Sequence, residues 1–109
     1  MSNIYTLVKN DSAPQIKVTL TREDDGTAIN FVGGSCKLKF RKKDTTIVLF
    51  TLTAPTTDDF ANGEAVFGFS SSNLDQDAGY YEGEIEITYS NGAVETLFEI
   101  LEFYLRSDF

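Results

Sequence analysis

Few residues in this chain could do chemistry, and their types limit what that chemistry could be. None of the 109 residues is histidine, the side chain that most often moves protons near neutral pH. Cys36 is the one cysteine. It could serve as a nucleophile only beside a group that lowers its pKa, yet it stands in phase with Leu38 and Phe40, so it reads as a core thiol. Glu82, Glu84 and Glu86 share one strand face and could mimic the carboxylate pair of an acid–base catalyst. The same spacing arises on any solvated strand face, and neither a neighbouring base nor an aromatic substrate cleft is implied. The acidic pairs Asp24 with Asp25, Asp58 with Asp59 and Asp75 with Asp77 lack the spacing of a calcium loop, and aspartate is a common turn residue. No catalytic residue, metal ligand or cofactor site is assigned, and the chain is expected not to be an enzyme.

Five of the nine bases, Lys37, Lys39, Arg41, Lys42 and Lys43, fall within seven residues. A nucleic-acid groove would interleave such bases with aromatics, but Phe40, the aromatic in this stretch, points with the core-facing set. A net charge of −8 also opposes a general affinity for nucleic acid or anionic membrane. Were this strand to neighbour the one that carries Glu82, Glu84 and Glu86, its outer bases Lys37, Lys39 and Arg41 would meet those acids in a ladder of opposite charges.

The elements that must position these residues are strands. Apolar and polar side chains alternate with period two at Ile16, Val18 and Leu20, at Cys36, Leu38 and Phe40, at Ala65, Phe67 and Phe69, and at Tyr81, Ile85 and Ile87. Residues 47–52 form a shorter apolar run, rich in β-branched and aromatic types, which predicts a more buried strand. Turn signals separate the runs: Asp24-Asp25-Gly26, Asn62-Gly63, and Ser90-Asn91-Gly92 as a hairpin turn. Residues 1–109 are read as a single domain, an all-β antiparallel sandwich of about seven strands with no disulfide. Its expected core is Ile16, Val18, Leu20, Leu38, Phe40, Phe67, Phe69, Ile85 and Ile87. Met1, Ser2, Asn3, Ile4 and Tyr5 lack the basic and apolar regions of a signal peptide, so synthesis in a cytoplasm is expected.

The segment Asp77-Ala78-Gly79-Tyr80-Tyr81-Glu82-Gly83 resembles the Asp-x-Gly-x-Tyr-x-Cys signature of immunoglobulin-like domains. That resemblance implies that Tyr81 is a corner tyrosine, that Asp77 and Gly79 shape its turn, and that Gly83 stands where the second cysteine would be. A broader resemblance runs through Tyr5-Thr6-Leu7-Val8-Lys9-Asn10-Asp11, Ile16-Lys17-Val18-Thr19-Leu20-Thr21, Asp25-Gly26-Thr27, Ile29-Asn30-Phe31-Val32-Gly33, Cys36-Lys37-Leu38-Lys39-Phe40-Arg41-Lys42 and Gly79-Tyr80-Tyr81-Glu82-Gly83-Glu84-Ile85. In order and spacing this is similar to the immunoglobulin-like N-terminal domain of the upper baseplate protein family (BppU) of tailed bacteriophages. Asn30-Phe31-Val32-Gly33 departs from that family's Asp-Leu-Thr-Gly turn. The resemblance implies a virion structural protein, made in the host cytoplasm, that anchors tail or baseplate components. Its partners would be other virion proteins or further copies of itself, with no nucleic acid, membrane or small-molecule substrate.

The last apolar run, 94–105, is two-faced, with Val94, Phe98, Ile100 and Tyr104 on one side and Leu97, Leu101, Phe103 and Leu105 on the other. A strand apolar on both faces needs cover. Leu97, Leu101, Phe103 and Leu105 are therefore expected to form a protein interface, with cover by residues 1–8 or 54–62 of the same chain as the alternative. Two other functions fit the sequence: a capsid decoration protein, and a sugar- or ligand-binding sandwich with Tyr5, Tyr80 and Tyr104 as its aromatic platform.

Overall fold

The alternating runs become seven strands: β1 (Ile4–Val8), β2 (Gln15–Thr19), β3 (Ser35–Lys42), β4 (Val48–Thr53), β5 (Glu64–Gly68), β6 (Gly79–Thr88) and β7 (Val94–Arg106). The computed structural model describes residues 4–22 and 24–107; the side chains of Phe98 and Glu99 lie outside the described residues, as do Met1, Ser2 and Asn3. A short 3-10 turn, Phe60–Asn62, precedes β5, and the fold is all-β. Five strands form one sheet in the order β1-β7-β6-β3-β4, and β2 pairs with β5 in a second. Every pairing is antiparallel except that of β1 with β7, which is parallel and sets Ile4 beside Glu102 and Val8 beside Arg106. The expected sandwich is thus present, with one parallel pair in an otherwise antiparallel arrangement.

All nine expected core residues are buried. Phe40 lies at the centre, its ring centroid 4.6 Å from Phe50, 5.1 Å from Tyr81 and 5.1 Å from Phe103. Such ring pairs contribute beyond the area they bury, which suits a chain whose one cysteine is free. Residues with no periodic signal close the ends of the sandwich. Ile29, Phe31, Phe60 and Leu74 are all buried, and the rings of Phe31 and Phe60 sit 4.3 Å apart.

Gly83 shows why this sandwich has no cross-link at the cysteine position of the signature. A Cβ there would lie 2.6 Å from Leu38 Cδ1 and 2.9 Å from Phe103 Cε2. The space between the sheets is already filled by those two side chains, both fully buried. Packing takes the place that a disulfide would hold.

The apolar run 47–52 is not the buried strand that its composition predicts. β4 is the last strand of its sheet, and Ile47, Val48 and Leu49 are 72%, 45% and 42% exposed. Phe50 and Leu52 turn inward against the core. Composition favours a strand here, but a strand's burial is decided by its neighbours, and β4 has one on a single side.

Candidate functional site

The residues that the sequence marks for possible chemistry fall in the core and on a charged strand pair. Cys36 is completely buried on β3, and burial, with Asp58 second, pushes its thiol up to about 12. The carboxylates of Glu82, Glu84 and Glu86 lie opposite the bases of β3, in the register Arg41↔Glu82, Lys39↔Glu84 and Lys37↔Glu86. Arg41 Nε lies 3.3 Å from Glu82 Oε1, and Lys39 Nζ reaches diagonally to Glu86 Oε2 at 2.8 Å. The hydrogen bond from Lys39 to Glu86 holds the ammonium above its ordinary range. Among the described residues, no group of three or more His, Cys, Asp or Glu side chains is placed to hold a metal ion.

The corner is built as its residue types suggest. The Tyr81 hydroxyl donates to the backbone carbonyl oxygen of Asp77, and Gly79 between them takes a φ of 148°. Burial, then the nearby Asp77, raises the phenol's pKa. Asp77 contributes main-chain oxygen here, so the bond itself does not require an aspartate.

The tyrosines of the ligand-binding alternative do not converge. Tyr80 and Tyr104 form a pair at 5.0 Å on the outer face, with Lys43 Nζ 5.8 Å from the Tyr80 ring. Tyr5 instead stacks on buried Phe103 at 5.5 Å, so no shared platform exists.

The expected interface on β7 divides in two. Phe103 and Leu105 have no exposed surface within the chain itself and belong to the core. Their cover comes from strands on both sides, β1 at the sheet edge and the β2–β5 pair across the sandwich, rather than from a partner. Leu97 and Leu101 are half-buried because the second sheet is only two strands wide and stops short of them. They line a cleft of about 190 Å³ with Tyr5, Val18, Leu20 and Ile85. β7 bulges here: Glu84 pairs with Ile100 and Glu86 with Thr96, so residues 97–99 lie opposite Ile85 alone.

The other wall of the cleft is a strand edge. Leu20 N–H donates to the Gly63 carbonyl and Phe69 N–H to that of Pro14, so residues 14, 16, 18 and 20 carry the hydrogen bonds to β5. Main-chain groups of Gln15, Lys17 and Thr19 consequently point away from β5, toward the cleft side where Lys17 and Thr19 line it. Among the described residues no strand pairs with this edge, and it stands beside half-covered leucines. The sequence shows the alternation of β2 but not that its far edge is open. A second hollow of about 250 Å³, between Val32, Gly33, Thr56 and Phe60, carries the carboxylates of Asp58 and Asp59. The Asp58 carboxylate accepts the Val66 N–H at 2.8 Å, so it works as a loop anchor.

No family model matches this chain, and no curated protein matches it. Its solved structural neighbours include CopC from Methylosinus trichosporium OB3b, at 13% identity and a TM-score of 0.49, covering 97% of this chain and 86% of that one. Another is the PmoD soluble domain from Methylocystis sp. ATCC 49242 (Rockwell), at 15% identity and a TM-score of 0.44, covering 93% and 77%. These neighbours are not tail, baseplate or capsid proteins, and the expected phage identity, with its virion location and structural role, is withdrawn. The motifs behind it were short turn and strand segments taken in order, from Tyr5–Asp11 to Gly79–Ile85, and such segments serve a sandwich whatever that sandwich does.

Proposed function

We propose that this chain acts by binding rather than by turnover, and that it takes up an extended segment of a partner protein in the cleft between β2 and β7. The observation that carries this reading is the coincidence of an open strand edge at Lys17 and Thr19 with the half-buried leucines 97 and 101. An added strand would hydrogen-bond the free main-chain groups of β2, and its alternate side chains would complete the cover of Leu97 and Leu101. The sealed thiol of Cys36 and the ion-paired carboxylates of Glu82 and Glu86 support binding over catalysis. Lys17 sets the partner's chemistry. Its side chain is 60% exposed, and its ammonium, 3.0 Å from Glu64, favours an acidic residue beside it, flanked by apolar residues facing inward.

The test is selection from a randomised peptide library displayed on yeast. Selected peptides are expected to alternate apolar and polar residues with an acidic centre, and to protect the amides of Gln15, Lys17 and Thr19 from hydrogen exchange. Thr19→Pro removes one edge N–H without touching the β5 ladder and is expected to abolish binding, whereas Thr19→Ala retains it. Undiminished binding by a folded Thr19→Pro protein sinks the assignment, as does a selection that yields no binder.

A further inference from the structure

Four strands end the two sheets, and the chain treats their outer edges differently. The outer edge of β5 is capped by its own loop: the Glu64 N–H donates to the Asp59 carbonyl and the Val66 N–H to the Asp58 carboxylate. β2 carries Lys17 at its centre, and a self-paired β2 edge would set lysine against lysine. β1 is only five residues long. β4 has none of these protections. From 45 to 54 the chain runs Thr-Thr-Ile-Val-Leu-Phe-Thr-Leu-Thr-Ala, ten residues without a charge, a proline or a glycine. Among the described residues nothing pairs with its outer side.

The edge also has a defined polarity. Ala54 N–H donates to the Cys36 carbonyl at 3.0 Å, so the even-numbered residues Leu52 and Phe50 face β3 with their main-chain groups. Those of Thr51 and Thr53 point outward, to the open edge. An uncharged strand of this kind can pair with itself.

We propose that β4 pairs antiparallel with β4 of a second copy of this chain, across a two-fold axis at Thr51, joining the two five-stranded sheets into one. Thr51 faces Thr51, and each inward Phe50 meets Leu52 of the other copy, so the apolar layer continues from one sandwich to the next. Exposed Ile47, Val48 and Leu49 lie along the joint. The charges beyond the strand choose the same occupant. Antiparallel pairing brings the turn before one β4, where exposed Lys42 and Lys43 outnumber Asp44, toward the end of the other, before Asp58 and Asp59. The symmetry makes this basic-to-acidic match twice, which a parallel pairing would not do. The cleft between β2 and β7 is lined by none of the β4 residues and takes no part.

Sedimentation equilibrium from micromolar to millimolar chain tests the pairing. The expected mass rises from the chain mass of 12.1 kDa to twice that value. Thr51 is exposed, so Thr51→Lys and Thr51→Glu change the joint while sparing the core. Each variant alone is expected to stay at the chain mass, because like charges meet at the axis. An equimolar mixture of the two is expected to regain the doubled mass. A chain mass at every concentration for the unaltered protein overturns the proposal. So does a doubled mass that survives in either variant alone, or a mixture that fails to associate. If Thr51→Lys were to unfold, the Thr51→Glu arm decides the question.

Discussion

Gly83→Ala is the most direct probe of how this sandwich does without a cross-link. The added methyl would sit 2.6 Å from Leu38 Cδ1, where ordinary contact begins near 3.4 Å, so the leucine must retreat by about 0.8 Å within a fully packed interior. Phe103 Cε2, at 2.9 Å, blocks the other direction. Forcing a methyl into such a site costs about 1–3 kcal/mol. Replacing a strand glycine by alanine returns about 0.5–1 kcal/mol through the unfolded state. A net loss of about 0–2.5 kcal/mol is expected, or a Tm lower by roughly 4–8 °C for each kcal/mol in a domain of this size. Urea unfolding followed by tyrosine emission measures it, since the chain has five tyrosines and no tryptophan. Leu38→Val removes the Cδ1 atom that the methyl strikes, so Gly83→Ala is expected to cost clearly less in that background than in the parent. A stabilised Gly83→Ala protein, or equal losses in both backgrounds, would refute the idea that Leu38 and Phe103 occupy the place of the bridge.

Two further outcomes follow from the same geometry. In a double-mutant cycle, Arg41→Ala and Glu82→Ala are expected to show a coupling of about 0.2–1 kcal/mol that shrinks in high salt, and strictly additive losses would contradict the ladder. For Cys36 the folded pKa stands above the ordinary 9.0, at about 12, so the stability it lends is fully present below pH 9 and is lost as pH rises toward 12. The expected loss is about 1.4 kcal/mol per pH unit in that window. Cys36→Ala should flatten the slope when denaturation midpoints are compared from pH 8 to 11; parallel slopes for the two proteins would show that the thiol ionises alike in both states.

Periodicity made much of this architecture legible. The alternations at Ile16, Leu38, Phe67 and Ile85 report which side of each strand meets the core, because a strand's side chains have no third direction to take. The adjacency of β3 and β6 followed from the immunoglobulin-like resemblance, and the bases facing out on one strand and acids on the other suit it. Burial that depends on the whole assembly could not be read. Ile47, Val48 and Leu49 have the composition of an interior strand and lie on an edge, because strand order is not written in any local pattern. Phe31, Phe60 and Leu74 are core residues in loops, where no period marks them. Leu97, Leu101, Phe103 and Leu105 have one spacing and two fates, decided by how far a two-stranded sheet reaches over a five-stranded one. The candidate cleft was half visible, in its leucines and not in the strand edge beside them.

The parallel run of β1 beside β7 has a mechanical consequence. Because the two strands point the same way, a pull outward on Ile4 and on Arg106 acts along their shared axis in opposite senses. The ladder between them then resists as one unit, every rung loaded together, whereas an antiparallel hairpin peeled from its open end surrenders its rungs in turn. Tension applied through these two strands loads that ladder in shear.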